Sequence, residues 1–167
     1  MIKKLLIAAF VLTPMCLAAQ TYKFGYVNSQ EIFNIMPDKV TAEATLKSVS
    51  DKYQAEYDKL REEFEKKYKE YQELDESTPQ SIIDSRAREL QENQQKIQNF
   101  QQLAAQDIQK QQETLIAPIT DKINKAIQAV GAEGGYTFIY DLSIPAIVYT
   151  GTGAVDLSAQ VKAKLGL

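Results

Sequence analysis

The sequence predicts an α+β protein: a long antiparallel helical hairpin, a coiled-coil tentacle, projecting from a small β-rich body. Three observations predict it. No glycine occurs between Gly25 and Gly131. Apolar residues recur at helical spacing on both sides of Pro79. Short runs of β-branched and aromatic residues lie near both ends of the chain, outside that helical region.

Residues 1–20 read as a cleaved signal peptide. Lys3 and Lys4 precede the apolar run 5–12, and Thr13-Pro14 and the small pair Ala18-Ala19 follow it. Eight apolar residues before a proline are too few to cross about 30 Å of hydrocarbon. The one cysteine, Cys16, lies inside this segment. A lipid-anchored reading would place Leu and small residues ahead of it, where the chain has Thr13-Pro14-Met15. The mature chain then holds no cysteine, histidine or tryptophan, and export without disulfides fits a bacterial periplasm. Removing Lys3 and Lys4 leaves 17 basic against 22 acidic side chains, a balance of −5 that does not attract nucleic acid.

The body comprises residues 21–37 and 118–167. Phe24 and Tyr26 alternate with Lys23 and Gly25 as in a short strand. Asn28, with Glu31 three residues on, forms a capping box for a short helix that Pro37 closes. Asp38 then stands as the N-cap of the next helix.

The arm comprises residues 38–117. Leu46, Val49, Tyr53, Tyr57, Leu60, Phe64, Tyr68, Tyr71 and Leu74 follow one another at steps of three or four, with a mean of 3.5, which is a coiled-coil seam. A second run alternates steps of four and three through Ile83, Ala87, Leu90, Gln94, Ile97, Gln101, Ala104, Ile108, Gln111 and Leu115; with three glutamines it is the weaker seam. Between the runs Thr78 caps a helix whose first residue is Pro79, where a missing N–H costs nothing. Helical stretches of 37 residues (40–76) and 38 residues (80–117) on either side place the tip near 77–79 and give each a length of about 55 Å.

Beyond Pro118 the apolar spacing continues through Ile119, Ile123, Ile127 and Val130. This predicts a kink inside one helix that ends at Gly131 as its C-cap. Residues 136–140 and 146–150 read as two strands of a hairpin joined by 141–145. Residues 150–153 form a turn, and Asp156 caps a terminal helix bearing Leu157, Val161 and Leu165. Three short strands leave open edges, so the body is expected to be completed by other copies of the chain.

Enzymatic readings find little support. Without histidine or a mature cysteine, most nucleophile and soft-metal sites are absent. The glycines at 131–135 lack a following lysine and precede a strand, which excludes a phosphate loop. The scattered Asp and Glu residues read as solvated helix faces among lysines. No cofactor is expected. Tyr53, Tyr57, Phe64, Tyr68 and Tyr71 form an aromatic stripe with two readings. They pack against the return arm, or they offer amphipathic rings to apolar chains.

Together, FGYVNSQEIFNIMP after a signal, the charged hairpin and INKAIQAVGAEGGYTFIYDLSIPAIVYTGTGAVDLSAQVKAKL resemble the Skp/OmpH family of periplasmic chaperones. The resemblance covers essentially the whole mature chain. It implies a homotrimer, with a trimerisation body built from the strands of three chains and three tentacles around a cavity. It also implies an ATP-independent holdase for unfolded outer-membrane proteins. The sequence departs from the strongly basic arms of well-known members: residues 38–112 carry 12 basic and 16 acidic side chains. No lipopolysaccharide-binding residues are therefore carried over. A structural coiled-coil envelope protein without chaperone activity is the alternative.

Overall fold

The structure, a computed structural model, describes residues 22–167; the signal segment and Cys16 lie outside them. The fold is α+β. Strand β1 (Phe24–Val27) leads into α1 (Ser29–Ile35), α2 (Pro37–Gln72) and α3 (Gln80–Gly134); β2 (Phe138–Asp141), β3 (Ala154–Asp156) and α4 (Ser158–Leu165) follow. Two compact units divide the chain: one runs up to Gln30 and resumes over Lys125–Leu167, the other is Glu31–Asn124.

Helix α2 starts two positions earlier than expected. Pro37 opens it instead of closing α1, and Met36 occupies the N-cap with no side-chain hydrogen bond. A proline at the first helical position gives up only an N–H that would have no partner there anyway. Asp38 is therefore not the cap; it sits in the first turn, where its carboxylate meets Lys122 at 2.6 Å.

The tip turn is closed by a different residue from the one expected. Asp75 Oδ1 accepts from the Ser77 N–H at 2.8 Å, the Ser77 hydroxyl at 2.6 Å and the Thr78 hydroxyl at 3.4 Å. With α3 beginning at Gln80, Pro79 and not Thr78 stands at the N-cap, and the Thr78 hydroxyl donates back to Asp75. The Pro79 carbonyl takes the first bonds of the new helix, from Ile82 at 2.9 Å and Ile83 at 3.2 Å. The carboxylate gains three donors here, which holds Asp75 below its usual range, chiefly through the hydrogen bond from the Ser77 side chain.

Three cross-links show the antiparallel pairing of α2 with α3. Asp38, Tyr53 and Lys67, in rising order on α2, meet Lys122, Asp107 and Glu89, in falling order on α3. Ile32, Met36, Leu60, Ala104, Ile119 and Ile123 are the buried side chains of this unit.

Helix α3 runs through Pro118 without interruption and passes the expected stop at Gly131. It ends where Gly135 takes φ 63°. The Tyr136 N–H then reaches the Gly131 carbonyl at 3.0 Å and the Gly135 N–H reaches Ala132 at 3.3 Å, the two bonds of a Schellman motif. A glycine tolerated inside a helix costs only about 1 kcal/mol, so position alone did not mark the end. The left-handed residue did.

The three-stranded sheet has the order β2-β1-β3, and both pairings are parallel. Phe24 stands opposite Phe138 on one side and Ala154 on the other. This overturns the expected hairpin. Residues 146–150 form no strand; Val148 is 99% and Tyr149 85% exposed. The third strand is Ala154–Asp156, inside the stretch read as turn and helix start. Parallel neighbours require a long crossover; residues 28–137 supply it between β1 and β2, and residues 142–153 carry the chain from β2 to the opposite side of β1. The inner face of the sheet is tight: a Cβ on Gly25 would collide with Leu157. Val27, Leu157 and Val161 are almost wholly buried in this unit, with Ala126 and Val130 alongside in the same class.

Candidate functional site

The predicted stripe lies on one side of α2, because steps of three and four residues return to the same face. The structure gives its members different surroundings. Tyr53 is half-buried; its hydroxyl donates to Asp107 Oδ2 at 2.7 Å and its ring meets Phe100 edge-on at 5.9 Å. Asp107 Oδ2 also accepts from Gln111 Nε2 at 2.9 Å. The shared bond raises the Tyr53 phenol and holds the Asp107 carboxyl down, the Tyr53 hydrogen bond being the main cause for Asp107.

Tyr57 and Tyr71 are half-buried, and Leu60 between them is buried. Phe64 and Tyr68, one turn apart, stack at 6.1 Å with ring planes 12° apart. Tyr68 is 46% exposed, the most open member of the stripe. Tyr53 is therefore tied to the return helix, while Phe64 and Tyr68 form an aromatic pair with one member open to solvent.

The return seam keeps Ile83, Leu90, Ile97, Ala104, Ile108, Gln111 and Leu115 of the expected run but departs from it at Ala87, Gln94 and Gln101. Gln94 and Gln101 are exposed, and Asn93, Phe100 and Asp107 are the partly buried residues beside Leu90, Ile97, Ala104 and Gln111. Stepping three from Ile97 instead of four would have found Phe100, the aromatic that packs on Tyr53. The glutamines drew the reading one position off. The seam is nonetheless polar, since Asn93 spends its amide on its own helix, donating to the Glu89 carbonyl at 2.9 Å.

A shallow apolar groove of about 220 Å³ lies among Phe33, Ala42, Leu46, Leu115 and Ile116. Sequence spacing gave Leu46 and Leu115; Phe33 carried no signal beyond its place in a short helix.

Near the tip two lysines of α2 face acidic side chains. Lys67 pairs with Glu89 at 2.6 Å, and Lys69 lies 3.9 Å from Glu73. The Lys67 hydrogen bond, then that of Arg86, holds Glu89 below its usual range.

The sheet offers a second surface. Phe24 stacks on Phe138 at 6.3 Å and on Tyr140 at 6.5 Å, and Tyr22 approaches Phe24 at 6.5 Å. Phe138 is 57% and Tyr22 61% exposed. The cluster is an exposed aromatic patch on one face of the sheet. Among the described residues, no cluster of His, Cys, Asp or Glu could hold a metal ion, and no helix is long and apolar enough to cross a membrane.

The described residues thus carry half-covered aromatics along a helical hairpin and a second aromatic cluster on a small parallel sheet. The chain belongs to the OmpH-like outer membrane protein family, whose model matches residues 23–165. It is similar in fold to a candidate outer membrane chaperone (OmpH-like) of Caulobacter crescentus CB15 in its crystal structure. That match has a TM-score of 0.73 and 17% identity, and covers 86% of this chain and 83% of the other. Comparison with curated proteins gives no match.

Proposed function

We propose that this protein is a periplasmic holdase that binds unfolded outer-membrane proteins without ATP and keeps them from aggregating before membrane assembly. The observation that carries the reading is the stacked Phe64–Tyr68 pair, with Tyr68 46% exposed on a helix otherwise covered in charge. Amphipathic rings of this kind give adaptable contact area at low entropic cost. Membership of the OmpH-like family supports the same class of work. Residues 38–117 are the client-holding arm, and residues 21–37 with 118–167 are the assembly body. Residues 1–20 direct export to the periplasm and are cleaved.

The working form is a homotrimer. In its support, both edges of the sheet are unpaired among the described residues and its aromatic face is open.

The test dilutes a urea-unfolded barrel protein into buffer with the purified mature chain and follows light scattering without ATP. Suppressed aggregation at about one assembled protein per client is expected. Aggregation equal to the control would favour a structural coiled-coil role.

A further inference from the structure

Two long amphipathic helices lying side by side can slide. Seam positions recur every seven residues, so a shift of one heptad pairs similar side chains again. Here the α3 side of the seam includes Asn93, Asp107 and Gln111, so apolar cohesion is modest and does little to select one register.

Directional bonds have to do so, and three cross the hairpin. Two are ion pairs on long lysine stems. Lys122–Asp38 joins side chains 57% and 47% exposed, and Lys67–Glu89 joins side chains 34% and 36% exposed. Such pairs follow a displaced partner and contribute little.

The third is built differently. The Tyr53 ring has only two side-chain torsions and rests against Phe100, so its hydroxyl is carried to a fixed point. Asp107 has a short side chain, braced from one turn along by Gln111. A slip of one heptad, about 10 Å along the axis, would set Phe100 or Thr114 opposite Tyr53 in place of Asp107, and neither offers a carboxylate.

We propose that Tyr53 and Asp107 form a register lock for the helical hairpin, with Tyr53 acting as a positioning residue inside the arm and not as part of the surface offered to clients. A polar residue in an apolar seam fixes alignment in coiled coils by the same means. The inference does not depend on the chaperone reading.

The test uses the assembled mature protein. The chain beyond residue 20 contains no cysteine, so cysteines introduced at exposed Ser50 and Lys110 carry spin labels without further changes. Labelled chains are diluted with unlabelled ones so that distances within one chain are read. The unsubstituted hairpin gives a single distance. Tyr53→Phe and Asp107→Leu are each expected to add a second, displaced distance and to speed amide exchange near residues 50–57 and 104–111 roughly fivefold. Asp107→Asn keeps an oxygen that accepts from Tyr53 and is expected to retain the single distance. The double variant Tyr53→Phe with Asp107→Leu should be no worse than either single one.

A single distance and unchanged exchange in Tyr53→Phe would overturn the lock. So would Tyr53→Phe holding its register while losing client protection, which would return Tyr53 to the client surface.

Discussion

Asp141, the last residue of β2, accepts both the backbone N–H and the hydroxyl of Ser29, the first residue of α1 and 112 positions earlier in the chain. Ser143 adds a third donor through its N–H at 2.9 Å. One carboxylate thus joins the end of a strand to the start of a helix, where N–H groups lack partners and favour negative charge.

Burial pushes the Asp141 carboxyl up, but the hydrogen bonds from Ser29 and Ser143 outweigh it and hold the group below its usual range. A carboxyl with a depressed pKa in the folded state contributes stability above its unfolded value, about 3.9, and loses it as pH falls through the folded one. Unfolding followed by circular dichroism is therefore expected to ease below about pH 4. Asp141→Asn is expected to remove about 1 kcal/mol at pH 7, a low figure because the group is partly solvated. Its stability should then fall less steeply in acid than that of the parent. An equal acid dependence would show that other carboxylates carry the effect.

Gly25 tests the inner face of the sheet. A Cβ there would run into Leu157, and the Tyr136 ring would be 3.3 Å away. Gly25→Ala is expected to cost about 1–3 kcal/mol as overpacking. Gly25→Val should prevent stable folding of this unit. A melting temperature unchanged in Gly25→Ala would mean that Leu157 swings aside freely.

Much of this layout was legible in the sequence, and the failures have physical causes. The glycine-free run and its 3.5-residue spacing gave the two long helices, and the spacing continued correctly across Pro118. Residues 146–150 were misread because Ile147, Val148 and Tyr149 have real strand propensity, yet propensity records only a preference for a pleated, half-buried surface. Among the described residues no strand pairs with them, and Val148 stays 99% exposed. The true third strand, Ala154–Asp156, has three residues and too little pattern to register. In the candidate site, the stripe on α2 was legible because it is aromatic. Its counterpart on α3 was not, since Asn93 and Asp107 are seam residues without being apolar.

The stripe itself gives a direct comparison. Replacing Tyr57, Phe64 and Tyr68 together by Leu keeps apolar packing and slightly raises helix propensity. Helicity is expected to hold while the concentration needed to protect a barrel protein rises several-fold. Unchanged protection would assign these rings to the hairpin core.

Assembly is expected to depend on the sheet. Phe138→Asp places a charge in the Phe24–Phe138–Tyr140 cluster, where it would be buried on association. Light scattering should then report a smaller species than the parent. An in-register deletion of residues 53–108 should leave the assembled state intact. A monomer after that deletion would put the contacts in the arms.

Charge sets the salt dependence. The arm is net acidic, and Lys67 and Lys69 near the tip already face Glu89 and Glu73. Long-range attraction is therefore a poor source of affinity for an acidic client. At physiological ionic strength the screening length is about 8 Å, short enough to remove repulsion too. Affinity for an acidic barrel protein should stay flat or tighten slightly from low to moderate salt. A steep loss in a titration series would assign the grip to the lysines.

The order of the sheet also governs when the protein can fold. Its central strand is made among the first residues, and both neighbours are made more than a hundred residues later. A chain emerging N-terminus first must hold β1 without either of these partners until β2 has appeared, more than a hundred residues later. The hairpin has no such wait, since its turn at Asp75–Thr78 closes locally and its two sides can zip from there. Once Asp38 and Lys122 meet, the separation that the sheet must close shrinks from over a hundred residues to a short span on each side, and with it the entropy of closure. The long helices are thus the device by which a strand from the start of the chain finds its partners at the end.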